Sequence, residues 1–199
     1  AAPGKADRSL ALEALWEEAG LPAGTFAVLN VDRGQIPPII HDHRISGVAV
    51  TGGTAAGQSV AAEAGRALKK VILELGGSDP FIVPADADLD KAAEAAAVGR
   101  MTNAGQVCIS AKRIIVESAV YAEFAAKLTE RVEALPIGDP TSADTFIGPM
   151  AKEEALADVH DQVKRTIAEG AQLLAGGHRL ERPGAFYALM PHKTMVVVF

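Results

Sequence analysis

The chain has 199 residues, 49% of them hydrophobic and 22% charged, which is enough apolar material to bury a core in one or two domains. Its 19 basic and 25 acidic residues leave a formal charge of −6 with no basic run, so a nucleic-acid partner is not expected. No window approaches the roughly 18 to 20 apolar residues that span a bilayer, and the N-terminus has no basic stretch leading into an apolar one, so no membrane partner and a cytoplasmic location are expected.

In chain order, "DRSLALEALWEEAG" reads as a helix with Leu12, Leu15, Trp16 and Ala19 on one face and Gly20 at its end. "TFAVLNV" reads as a strand and "GQIPPIIHDHR" as a proline-interrupted connection. "ISGVAVTG" reads as a buried strand through Ile45, Val48 and Val50. A loop and helix follow in "GGTAAGQSVAAEAGRALKKV", and "VILEL" returns as a short strand. Gly76, Gly77 and Pro80 punctuate the chain. Beyond them "DLDKAAEAAAVGRMTNAG" is a helix, "KRIIVES" a strand, "AVYAEFAAKLTERVEAL" a helix, "PIGDPTSADTFIGPM" a loop and "AKEEALADVHDQVKRTIAEG" a helix. Strands alternating with helices predict an α/β fold with parallel pairing. The chain starts at Ala1 without methionine and stops on the apolar run "TMVVVF", so it reads as an excised piece.

Three patterns can carry chemistry. "TGGTAAGQS", Thr51 to Ser59, is a glycine-rich turn between strand and helix, where free amides attract phosphate. Gln58 replaces the lysine of a P-loop, and glycines at 52, 53 and 57 miss the G-x-G-x-x-G spacing, so a plain tight turn stays open as an alternative. Glu74 lies in "LELGG" between Leu73 and Leu75. Strand alternation turns it to solvent, or a cavity takes it and desolvation makes it a general base.

The single cysteine, Cys108 in "TNAGQVCISAKR", rules out an internal disulfide and fits a reducing compartment. It is either a small buried hydrophobe or a nucleophile at a bend, shielded by Val107 and Ile109 and with backbone amides ready for an oxyanion. His41 and His43 in "HDHR" lack a third ligand and read as a polar loop, so no metal is expected. His160 and His178 read as isolated surface residues.

Together "VTGGTAAG", "LELGGSDPFIV", "ADADLDKAAEAAAVGRMTNAGQVCISAKRIIV" and the "IGDP" and "IGPM" turns resemble the aldehyde dehydrogenase family over nearly the whole chain. "ELGGSDPF" and "NAGQVCISAKR" are most similar to its succinate-semialdehyde branch. The resemblance implies residues 1–75 as part of a Rossmann-like NAD(P) domain and 76–199 as the N-terminal part of the catalytic thiol domain. It implies Cys108 as nucleophile, Glu74 as the base for the deacylating water, and Gly52, Gly53, Thr54, Gly57 and Leu75 on the cofactor side. The implied cofactor is NAD or NADP, the substrate a small aldehyde, and the parent enzyme a homo-oligomer, with this chain's own state left open. Departures are Gly53, where the family often has serine, and Thr102, where the semialdehyde branch often has arginine. Ala2 and Pro3 fall just after the family's ribose-binding lysine. The alternative is a catalytically inactive remnant of such an enzyme.

Overall fold

The computed structural model describes residues 6–188 and 196–198. Two compact units divide at Leu75/Gly76, Ala1–Leu75 and Gly76–Phe199. The readings placed on Ala1 to Pro3 and on the ends of "TMVVVF" lie outside the described residues.

The first unit opens with α1 (Ala6–Glu18), closed by Gly20, whose φ of +81° is the left-handed turn that glycine adopts without strain. Its apolar face is uncovered: Leu12, Leu15 and Trp16 are exposed, and Trp16 meets the Phe26 ring at 6.4 Å between centroids. Residues 25–31 form no strand, contrary to expectation; among the described residues no other strand pairs with them, and a strand needs a partner for its amides and carbonyls. The proline-interrupted segment forms a 3₁₀ turn (Arg33–Gln35) and then a helix, α2 (Ile36–His41). Pro37 stands in the first turn of α2, where its missing N–H costs no hydrogen bond. Asp32 caps the 3₁₀ turn through the amides of Gly34 and Gln35.

β1 (Gly47–Gly52), α3 (Thr54–Arg66) and β2 (Lys70–Leu75) then make a parallel β-α-β unit, in register from Gly47 opposite Lys70 to Gly52 opposite Leu75. Val48 and Val50 are only half-buried, because the sheet has two strands and one covering helix.

The second unit has a parallel sheet in the order β3 (Pro80–Val83), β4 (Arg113–Val116), β7 (Val196–Val198). β3 escapes a sequence reading because it is four residues long and begins on Pro80, a residue tolerated at a strand's first position. α4 (Leu89–Met101) crosses from β3 to β4, capped by Asp88, whose side chain accepts from the Lys91 amide. It buries the small residues Ala93, Ala96 and Ala97 together with Met101. α5 (Tyr121–Glu133) buries Phe124, Leu128 and Val132 at a spacing of four, and α6 (Glu153–Ala168) buries Leu156 and Val163. With Val83, Ile114, Val116 and Ile147 these residues form one core. A hairpin of two-residue strands, β5 (His178–Arg179) and β6 (Tyr187–Ala188), was too short to be expected.

Candidate active site

In the first unit the chemistry-bearing residues gather at the carboxyl ends of β1 and β2, the end at which open α/β sheets bind ligands. Gly53 is the N-cap of α3 in extended conformation and makes no side-chain cap, so by helix geometry the amides of Thr54, Ala55 and Ala56 have no intrahelical acceptor. No acidic residue occupies this first turn, and a Cβ added at Gly53 would meet nothing within 4 Å. The amides are therefore open to an anion, which the helix dipole also favours. Gly57 has a different task. It is buried, and a Cβ there would come within 2.7 Å of Leu75 Cδ2, so its bare backbone lets α3 lie against the end of β2.

Beside this turn is a groove of about 530 Å³, lined by Arg33, Ile36, Pro37, Ala55, Ser59 and Val60 among others. It was not foreseen in the sequence, because its apolar wall comes from a helix hidden in a proline-rich segment. The groove has apolar walls, one guanidinium and the Glu63 carboxylate, which is engaged by His41 and Arg66, and it adjoins unpaired helix amides; this set can take a flat heteroaromatic group joined to phosphate.

Glu74 pairs in register with Thr51, one residue before the glycine turn. Its side chain is exposed and forms no ion pair or hydrogen bond among the described residues. The cavity that would have desolvated it is therefore not supplied by the first unit, whose β2 is open to solvent along most of its length.

In the second unit α4 ends abruptly. Asn103, Ala104 and Gly105 follow with φ of 54°, 54° and 74°, three successive left-handed residues. For Asn103 and Ala104 this conformation costs on the order of 1–2 kcal/mol each. The turn is tied down by paired hydrogen bonds, Asn103 Nδ2 donating to the Gln106 carbonyl at 3.2 Å and Gln106 Nε2 to the Asn103 carbonyl at 3.3 Å.

The turn delivers Cys108, whose side chain is exposed. The expected shield is absent: Val107 is half-buried, but Ile109 is 81% exposed because the turn at 107–110 points it outward. The Ser110 amide donates to the Val107 carbonyl, while the Cys108 and Ile109 amides have no acceptor among the described residues. An unpaired amide next to a thiol can hold a developing oxyanion. Behind the thiol, Lys112 Nζ donates to the Cys108 carbonyl at 2.9 Å and to the Ser110 carbonyl at 3.2 Å. Thr102 turns its hydroxyl back onto the Val98 carbonyl at 2.7 Å.

The "HDHR" groups are occupied by one another and by α3. His41 Nε2 lies 2.9 Å from Glu63, and Arg44 donates to Asp42, holding that carboxyl well below the usual range. Among the described residues no group of three His, Cys, Asp or Glu side chains could hold a metal ion. His160 is not an isolated surface residue: its Nδ1 lies 3.0 Å from the hydroxyl of Tyr187, whose phenol burial pushes up. The partner comes from β6, 27 residues away, so spacing could not reveal it. Among the described residues no helix is long and apolar enough to cross a membrane.

The sequence profile of the aldehyde dehydrogenase family matches residues 4–191. The NAD(P)+ succinate semialdehyde dehydrogenase Sad of Escherichia coli is 44% identical over 173 residues, covering 87% of this chain and 37% of the relative. The NADP+ succinate-semialdehyde dehydrogenase of Deinococcus radiodurans is 47% identical over 178 residues, covering 89% and 37%. The chain thus spans well under half the length of these curated relatives. The crystal structure of succinic semialdehyde dehydrogenase from Streptococcus pyogenes in complex with NADP+ superposes with a TM-score of 0.89 at 36% identity, over 96% of this chain and 45% of that one. The α/β fold described above is accordingly part of the aldehyde dehydrogenase fold, and the chain belongs to the aldehyde dehydrogenase family.

Proposed function

We propose that these residues carry the thiol, the deacylation base and part of the dinucleotide site of an NAD(P)-dependent enzyme that oxidises a small aldehyde to a carboxylic acid. In this reading residues 1–75 belong to the Rossmann-like cofactor domain and 76–199 begin the catalytic domain. The observation that carries it is an exposed cysteine three residues beyond a tightly wound left-handed turn, with its own amide unpaired.

Cys108 as thiolate attacks the aldehyde carbon to give a thiohemiacetal, and its amide holds the oxyanion. A bound nicotinamide would supply the hydride acceptor for that carbon, which would then remain on Cys108 as a thioester. Glu74 takes a proton from water, which attacks the thioester; the acid leaves and the thiolate returns. Gly52, Gly53 and Thr54 would hold the cofactor's phosphates at the start of α3, and Gly57 and Leu75 would keep α3 close against β2 on that side. The names of the relatives make succinate semialdehyde the first substrate to test. Thr102 supplies no cation for its second carboxylate, so other short aldehydes belong in the same assay.

Stopped-flow absorbance of reduced nicotinamide, with mass spectrometry of the trapped protein, tests the reading in the native polypeptide that carries these residues. A burst with an acyl adduct on Cys108 is expected, and both should vanish in Cys108→Ala, since in this reading Cys108 carries the acyl group. Substantial turnover by Cys108→Ala would sink the assignment. A second reading, that residues 1–199 by themselves turn over no aldehyde, is favoured by their covering 37% of the Escherichia coli relative. It is checked by the absence of a burst in the 199-residue chain.

A further inference from the structure

We propose that Arg100, on the last turn of α4, is a positioning residue for Cys108: its guanidinium clamps the Gly105 carbonyl and so holds the left-handed turn that presents the thiol. Nη1 donates to Gly105 O at 2.8 Å, reaching five residues along the chain to the third left-handed residue. The turn folds tightly back on this side chain. A Cβ added at Gly105 would lie 3.2 Å from Nη1 and 3.6 Å from the Arg100 carbonyl, so the approach is close, and the φ of +74° is what favours glycine there.

The environment of Arg100 argues that the clamp is what keeps it in place. The side chain is half-buried and forms no ion pair among the described residues. Its Nε is the one buried side-chain nitrogen or oxygen there without a hydrogen bond. A guanidinium withdrawn from water with no carboxylate and an idle donor is unfavourable by itself. What the side chain does in return is hold one carbonyl, three residues before the cysteine. It also lines a pocket of about 310 Å³ together with Thr102, Val107, Ile109 and Ser110. Ser110 Oγ fastens the far side of the same loop to Gly99 O at 2.9 Å, next to Arg100 on α4. The thiol is thus held on both sides from a single helical turn. Arg100 touches no reacting atom in this arrangement; it acts through the turn.

The inference rests on the functional reading for its catalytic consequence but has a readout independent of it. Amide hydrogen exchange in the native polypeptide reports the clamp directly, because the Gln106 and Ser110 amides are bonded within the turn at 3.1 and 3.2 Å. Arg100→Met should speed their exchange roughly 10- to 100-fold, the range for one lost charge-assisted hydrogen bond, while Leu128 and Val132 of α5 change less than about 2-fold. Arg100→Lys, which can still donate to the Gly105 carbonyl, should restore most of the protection. In the native polypeptide Arg100→Met should lower kcat by a similar factor with KM little changed, and Arg100→Lys should rescue it. Unchanged exchange at Gln106 and Ser110 in Arg100→Met overturns the proposal. So does equal loss of protection in α5 in both Arg100→Met and the milder Arg100→Gln, which would make Arg100 a general fold residue. Local loosening without any aldehyde chemistry in the native protein would support the clamp and overturn only the functional reading.

Discussion

The two units solve the problem of apolar surface in opposite ways. In Gly76–Phe199 the sheet and α4, α5 and α6 enclose one core in which Phe124, Ile114, Ile147, Val83 and Val116 are each less than 2% exposed or at that limit. In Ala1–Leu75 the buried hydrophobics among the described residues are Ile40 and Ala64, while Leu15, Ile72 and Leu73 stand 60%, 61% and 39% exposed. A two-stranded sheet with one helix on it cannot cover both of its faces. The apolar alternation of β1 and β2 is written for more cover than these residues supply. In the proposed reading the first unit contributes chemistry through its strand ends, whereas the second holds a strained turn on a well-packed core.

The largest test of that division concerns Glu74, the only acidic residue the functional reading draws from the first unit. If it activates the deacylating water, Glu74→Gln in the native polypeptide should keep a stoichiometric burst of reduced cofactor while steady turnover falls by roughly 10² to 10⁴. Acyl adduct should then accumulate on Cys108. A slowed burst rescued at higher pH would instead assign Glu74 to deprotonating the thiol. Unchanged burst and turnover would show that its exposed position on β2 is its whole role.

Stability should divide along the same line. Phe124→Ala removes a side chain that is 0% exposed at the centre of the second unit's core, and should cost about 3–5 kcal/mol in denaturant unfolding of the 199-residue chain. Ile72→Ala, on the open sheet, should cost less than about 0.5 kcal/mol. If Ile72→Ala proved as damaging as Phe124→Ala, the first unit's sheet would be covered in solution and the contrast would fail.

How far these features could be read from the sequence depends on how local their causes are. α4 was legible because the alanine stripe lies within it, and Asp88 before it and the Asn103-Gly105 stop after it are close in sequence. The glycine turn at Gly52 and Gly53 was legible for the same reason. Residues 25–31 looked like a strand because apolar β-formers do, yet pairing depends on a neighbour that sequence pattern does not name. Ala104 gave no sign of its left-handed φ, since alanine ordinarily avoids it; only the fold around the thiol enforces it. Ile109 misled in the opposite sense, an apolar side chain turned outward by that same turn.

A smaller effect sharpens how the first unit positions its glycine turn. Gly57→Ala raises helix propensity but drives a Cβ to 2.7 Å from Leu75 Cδ2, so α3 or Leu75 must shift. A net cost of about 1–3 kcal/mol is expected from this overpacking, with weaker NAD(P) binding by titration calorimetry in the native polypeptide. Leu75→Ala in the same chain should relieve much of the cost, and simple additivity of the two changes would show that they do not meet.

The smallest expected effect is electrostatic. Arg44 donates side-chain and backbone hydrogen bonds to Asp42 and thereby holds its carboxyl below the ordinary value of 3.8. A carboxylate whose pKa is depressed by folding stabilises the folded state above its unfolded value and ceases to do so as pH falls through its folded one. Asp42 is exposed to solvent screening, so the contribution is modest. Asp42→Asn keeps an oxygen for the Arg44 amide but removes the charge. The native chain should therefore be slightly more stable than Asp42→Asn near neutral pH, and the gap in thermal midpoint should close as pH drops below 3.8. Glu63, lowered chiefly by its hydrogen bond with His41, should behave in the same sense, again in the first unit. A gap that widened on acidification would mean that folding raises the Asp42 pKa rather than lowering it, and would overturn the Arg44 assignment.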